Sequence, residues 1–331
     1  MRPVKLAMIG CGIAARNLHL PALRQLGSKF EIALLCNNGE HKARALSEET
    51  GGTPYVRDYA AVLDNPTIEA VDIALPIHLN YAVTQAALGA GKHVFVEKPM
   101  AANLGEAEEM RGWPASYPDL VMMVGENFYY HTAFHRIKAL LDAGQIGEPY
   151  AVFWDVFRYV DLNNRYAKTR WRRQHQYPGG FITDGGVHNI AALRLLFGSF
   201  RNGQAFIKTI NREIGEVDSF SFQFEMETGV HGVLNIFVSA NGAFKNDIRI
   251  LGKDGSMLIE NNRELQVLRN GETVLRESFG DDLSYRSEFE DFYAGIREGK
   301  QIESSFERGY QDLRVILKAL ETADRWHGLS L

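Results

Sequence analysis

Asp184 and His188 stand four residues apart in Gly179-Gly180-Phe181-Ile182-Thr183-Asp184-Gly185-Gly186-Val187-His188-Asn189. In the first turn of a helix that continues to Phe197, this spacing puts a carboxylate and an imidazole on one face, the parts of a proton-transfer site. The same pair also reads as an N-cap aspartate with a buried histidine, or as two metal ligands. Third and fourth ligands at metal spacing are not evident, so no metal is expected. A second group, Glu97-Lys98-Pro99, follows the apolar run His93 to Val96. Pro99 restricts Lys98 to extended backbone, which aims one side chain. Read alone, Lys98 is equally a surface charge. Trp171-Arg172-Arg173, with Arg158, Arg165 and Arg170 nearby, gathers cations and an aromatic that suit hydroxyls, carboxylates or phosphates, or a loop tied down by salt bridges.

Gly10-x-Gly12-x-x-Ala15 comes directly after the apolar run Val4 to Ile9 and opens a helical pattern through Leu18, Leu20 and Leu23. Gly10 permits a tight turn, Gly12 lets backbone approach a pyrophosphate, and Ala15 lets helix pack on strand, so the segment reads as a dinucleotide fingerprint. A second run, Glu31 to Cys36, ends at Asn37-Asn38-Gly39-Glu40-His41-Lys42. The carboxylate that usually binds a ribose 2′-hydroxyl is replaced there by amides, with Lys42 close by. That chemistry leans to NADP, with NAD possible.

The elements that must position these residues alternate as far as Gly125. Strands are predicted at Val4 to Ile9, Glu31 to Cys36, Ala70 to Leu75, His93 to Val96 and Val121 to Val124. Helices are predicted at Glu40 to Glu49, Tyr81 to Leu88 and around Ala107 to Met110. This rhythm predicts a doubly wound parallel sheet of the Rossmann type. Beyond it come a helix at Ala133 to Leu141, a strand at Tyr150 to Tyr159 and a helix at Gly186 to Phe197. Six strand-like runs follow between Phe206 and Leu268, and the chain closes on an amphipathic helix, Phe306 to Trp326. The expected organisation is α/β throughout: a dinucleotide-binding domain over 1–124, then an α+β domain over 125–331 with a large open mixed or antiparallel sheet.

The 331 residues carry 36 Lys+Arg against 41 Asp+Glu, a formal charge of −5. That balance gives no basic surface for nucleic acid or anionic lipid. No apolar run approaches the roughly 20 residues that span a bilayer. Cys11 and Cys36 lack disulfide or metal spacing, and a cytoplasmic location is expected.

Taken together, these residues resemble the Gfo/Idh/MocA oxidoreductase family. The likeness runs nearly end to end: the glycine turn, Pro76-Ile77-His78, Gly91-Lys92-His93-Val94-Phe95-Val96-Glu97-Lys98-Pro99, the Gly144-Gln145-Ile146-Gly147 turn, the Asp184-x-x-x-His188 segment and the closing helix. The resemblance implies an NAD(P)-dependent dehydrogenase or reductase acting on CH–OH groups of a sugar, polyol or related cyclic alcohol. It further implies a homodimer or homotetramer formed through the open sheet. Lys98, Asp184 and His188 are implied as catalytic, with Lys98 and His188 both open as the principal acid/base. Implied cofactor contacts are Gly10, Gly12, Ile13, Ala14, Asn37, Asn38, Lys42, Leu75, Pro76, His78, Asn80, Glu97, Lys98 and Asn127. Implied substrate contacts are Tyr129, Arg158, Trp171, Arg172, Asp184 and His188. Asn80 stands where many members have a second histidine, and Tyr129 where many have an arginine. Two other functions fit the same resemblance: a glycoside hydrolase that retains its nicotinamide, and a non-catalytic nicotinamide sensor.

Overall fold

The computed structural model describes residues 2–323, and Trp326 of the expected closing helix lies outside them. The first stretch gives β1 (Val4–Ile9), a helical segment over 13–25 whose middle, Ala15–His19, widens into a π turn before α1 (Leu20–Gln25), and β2 (Phe30–Cys36). It continues through α2 (Glu40–Glu49), β3 (Tyr55–Val56), α3 (Ala60–Leu63), β4 (Ala70–Ile73), α4 (Ile77–Gly89), β5 (His93–Glu97), α5 (Leu104–Ser116) and β6 (Met122–Gly125). The six strands form one parallel sheet in the order β3-β2-β1-β4-β5-β6. The predicted doubly wound sheet is therefore present. β4 stops at Ile73 rather than Leu75, and α4 starts at Ile77 directly behind Pro76, which occupies its N-cap. Proline lacks an N–H and fixes its own φ, so it suits this entry to a helix.

The second stretch holds α6 (Thr132–Asp142), β7 (Pro149–Phe157), α7 (Arg170–Arg173), α8 (Gly180–Phe197), β8 (Phe200–Lys208), β9 (Ser219–Met226) and β10 (His231–Phe237). After these come β11 (Lys245–Gly252), β12 (Gly255–Glu260), β13 (Glu264–Arg269) and β14 (Glu272–Ser278). Eight strands pair in the order β14-β13-β12-β11-β7-β10-β9-β8, antiparallel except for β7 with β10. Alternation sorts the two faces of this sheet. Val152, Trp154, Val156, Leu234, Ile236, Ile248 and Ile250 are buried, whereas Phe153 is 41% exposed and Phe157 and Phe237 stack, half-buried, 5.4 Å apart. The helix α8 passes through Gly186 because a Cβ there would meet Ile316 at 2.9 Å and Ile236 at 3.2 Å. Close approach offsets the roughly 1 kcal/mol that glycine costs inside a helix.

The last elements are α9 (Ser284–Glu298) and α10 (Phe306–Ala323). The described residues form two compact units: 2–130 with 283–311, and 131–282 with 312–323. The physical cause is α9, a helix absent from the sequence prediction. It buries Phe289, Phe292 and Tyr293 in one cluster with Leu6, Met8, Leu20, Leu23, Phe30 and Phe95 of the first unit. Phe289 stacks on Phe95 at 4.5 Å and Phe292 on Phe30 at 6.4 Å. Burying three aromatics is worth several kcal/mol, enough to seat α9 against the N-terminal sheet although residues 131–282 separate the two in the chain.

Candidate active site

Parallel register brings the candidate residues of the first unit to one edge of its sheet. Ile9 lies opposite Cys36 on one side and Ile73 on the other, Ile73 opposite Val96, and Val96 opposite Val124. The residues that follow, Gly10, Asn37, Leu75-Pro76, Glu97-Lys98 and Asn127, therefore leave the sheet along its carboxyl edge. The order of the sheet reverses at β1, which lies between β2 and β4. Crevices of open α/β sheets bind ligands at this switch point.

Gly10 has φ +104, and a Cβ there would sit 2.3 Å from the carbonyl oxygen of Ala74, so no other residue fits. A Cβ on Gly12 would meet nothing within 4 Å, leaving the outer side of the turn open. Ile13 and Ala14, half-buried, begin the helix behind it. The residues present thus fit a dinucleotide: a glycine turn with open backbone, at a helix start, on the carboxyl edge. Asn37 accepts a hydrogen bond from the Cys11 N–H at 3.1 Å and donates to the Gly39 carbonyl at 2.8 Å, so it braces the loop. Asn38 and Lys42 are exposed beside it. So is Arg57, which donates to the Asn38 carbonyl at 3.3 Å; as a lone arginine in a loop it gives no signal in the sequence.

Lys98 is half-buried at the end of β5, and its peptide with Pro99 is cis. Asn80, wholly buried, donates to the carbonyls of Glu97 at 2.9 Å and Pro99 at 3.0 Å. Its amide nitrogen therefore holds the lysine turn. His78 lies in the first turn of α4 with its Nδ1 buried and unpartnered. Asn127 is also buried and donates to the Ser284 hydroxyl at 2.8 Å, tying the end of β6 to the start of α9. Tyr129 is 1% exposed, with the Arg308 guanidinium 4.8 Å from its ring centroid.

The second unit assembles the other residues. Here α8 starts at Gly180, six residues earlier than expected, so Asp184 and His188 lie one and two turns inside the helix on one face. The N-cap reading of Asp184 is thereby corrected: the N-cap is Gly179. The Arg172 Nε donates to Asp184 Oδ2 at 2.7 Å, with both side chains largely buried. The Arg172 guanidinium stacks 4.0 Å from the Trp171 ring and 5.0 Å from that of Tyr166. Arg158 is exposed, and its Nη2 comes within 3.4 Å of where a Cβ on Gly185 would lie. Asp184, Arg172, Trp171 and Arg158 are thus neighbours around one turn of α8. Two tyrosines carry no motif that marks them in the sequence. Tyr166 packs on Arg172, and Tyr177 has a buried hydroxyl without a partner, its pKa pushed up by burial and by the charge of Asp184, with Arg172 opposing.

Among the described residues no group of three or more His, Cys, Asp or Glu is arranged to hold a metal ion. Nor is any described helix long and apolar enough to cross a membrane.

Comparison with known proteins matches both units. Residues 4–125 fit the model of the oxidoreductase family with an NAD-binding Rossmann fold, and residues 134–258 fit that of the GFO/IDH/MocA C-terminal domain. An oxidoreductase from Thermotoga maritima of known crystal structure is 32% identical, covers 97% of each chain and superposes with a TM-score of 0.92. A Saccharomyces cerevisiae protein is 30% identical over 78% of this chain and 75% of its own. The scyllo-inositol 2-dehydrogenase (NADP(+)) of Bacillus subtilis is 25% identical over 97% of this chain and 94% of its own.

Proposed function

This chain belongs to the Gfo/Idh/MocA oxidoreductase family, and we propose from that premise that it interconverts a CH–OH group and its carbonyl on a sugar, polyol or related cyclic alcohol. When bound, the nicotinamide supplies or takes the hydride. The reading rests above all on the placement of Glu97-Lys98-Pro99 on the same carboxyl edge as the glycine turn. Lys98 hydrogen-bonds the reacting oxygen. His188 exchanges the hydroxyl proton, and Asp184, steadied by Arg172, orients substrate and imidazole. Arg158 and Trp171 meet the remaining hydroxyls. The substrate class agrees with the names of the Bacillus relative and of a D-xylose 1-dehydrogenase of Haloarcula marismortui.

NADP is the preferred cofactor in this reading. An amide rather than a carboxylate ends β2, and Asn38, Lys42 and Arg57 stand exposed where a 2′-phosphate would need donors. The outer face of the second sheet, with Phe153, Phe157 and Phe237, supports pairing of two copies. Two buried free thiols, Cys11 and Cys36, support a cytoplasmic location.

The test is hydride transfer in Lys98→Ala and His188→Ala. Each is expected to lose at least about 100-fold in kcat with the dinucleotide Kd within about twofold of the parent, as loss of an acid/base group predicts. Full rates in both variants overturn the assignment.

A further inference from the structure

The first unit buries a set of ionisable groups that dinucleotide binding does not call for. His19, the last residue of the π turn, has no exposed surface. Its Nδ1 lies 3.0 and 2.9 Å from the two oxygens of Asp72 on β4, and its Nε2 lies 2.9 Å from Glu97 Oε1 at the end of β5. Ionised carboxylates only accept, so both ring nitrogens donate and the ring is an imidazolium. Burial alone would push its pKa down; Asp72 and then Glu97 outweigh burial and hold it well above the ordinary value. Edges of Phe95 and Phe289 close the ring in at 5.6 and 5.4 Å.

Glu97 is the residue before Lys98. Two buried side chains therefore grip the lysine turn: Asn80 holds the carbonyls of Glu97 and Pro99, and His19 holds the carboxylate of Glu97. We propose that His19, clasped between Asp72 and Glu97, is a positioning residue for Lys98, acting through the Glu97 carboxylate to fix the turn that aims the amine. The proposal rests on Lys98 being catalytic. Misplacement of a reacting group by about 1 Å costs on the order of 100-fold in rate, so a clamp on the adjacent residue has ample leverage. The groups that face His19 or its partners are Asp72 from β4, Glu97 from β5, Glu126 after β6 and Glu288 from α9.

Two substitutions test this in the full chain with its cofactor. His19→Gln keeps a donor for one carboxylate but carries no charge; it is expected to lower kcat about 10- to 100-fold with substrate KM and dinucleotide Kd changed less than about threefold. Asp72→Asn keeps the shape of the site and removes the charge that holds the ring protonated. Its kcat is expected to gain an ionisation that the parent lacks, with the rate falling as pH rises through it. If Lys98→Ala loses its rate while both variants keep the parent kcat and pH profile, the clamp is refuted and the catalytic reading stands. If Lys98→Ala keeps its rate, the catalytic reading fails and the clamp with it.

Discussion

Glu288 of α9 is wholly buried, neither of its carboxyl oxygens has a hydrogen-bond partner, and burial pushes its pKa well above the ordinary 4.5. His19 pulls in the opposite direction, while Glu97, Glu126 and Asp72 add to the rise. The folded chain thus keeps a proton that the unfolded chain releases above pH 4.5. Its contribution is complete below that pH and is lost as pH rises toward the folded value. Between the ordinary and the raised value, each pH unit lowers stability through this group by at most about 1.36 kcal/mol. His19, also raised, adds a loss of the same sign that begins above its ordinary 6.5. Glu288→Gln removes the first contribution and keeps the shape. Urea unfolding at pH 5, 6, 7 and 8 is expected to show parent stability falling more steeply with rising pH than that of the variant. Parallel curves for the two proteins would refute a neutral, buried Glu288.

Gly10→Ala must place a Cβ 2.3 Å from the Ala74 carbonyl at φ +104; a loss of about 1–3 kcal/mol in urea unfolding and weaker dinucleotide binding by fluorescence titration are expected. Arg172→Ala leaves the Asp184 carboxylate buried without the guanidinium, and both a lower melting temperature and a kcat loss of about tenfold or more should follow; Arg172→Lys cannot restore the stacking on Trp171. Phe153→Lys on the outer face of the second sheet should shift the protein toward monomer in size-exclusion chromatography with light scattering without changing its circular dichroism.

Local rules make much of this legible in the sequence. The glycine turn, the strand-end position of Lys98 and the Asp184–His188 spacing depend on short-range patterns that a single chain displays. The elements that the sequence does not reveal depend on distance along the chain. Nothing local says that α9 leaves the second unit, or that its Phe289 belongs against Phe95. Compactness is set by where aromatic area is buried and not by sequence order. The start of α8 precedes its predicted position because Gly180 and Gly185 read as loop in the sequence, whereas both lie in the helix. Asn80 and Asn127 show a further limit. Residue type identifies an amide near the site, but only the fold shows that the first donates to the lysine turn and the second to Ser284.

The most direct test of sugar or polyol oxidoreduction is the initial rate of change in reduced-nicotinamide absorbance with the purified full chain, over a panel of aldoses, inositols, anhydrosugars and diols, offered NADP and then NAD. Turnover with at least one sugar or polyol is expected, with a lower KM for NADP than for NAD. A chain that binds the dinucleotide yet leaves every substrate on the panel unchanged, in both directions, would contradict the proposed reaction.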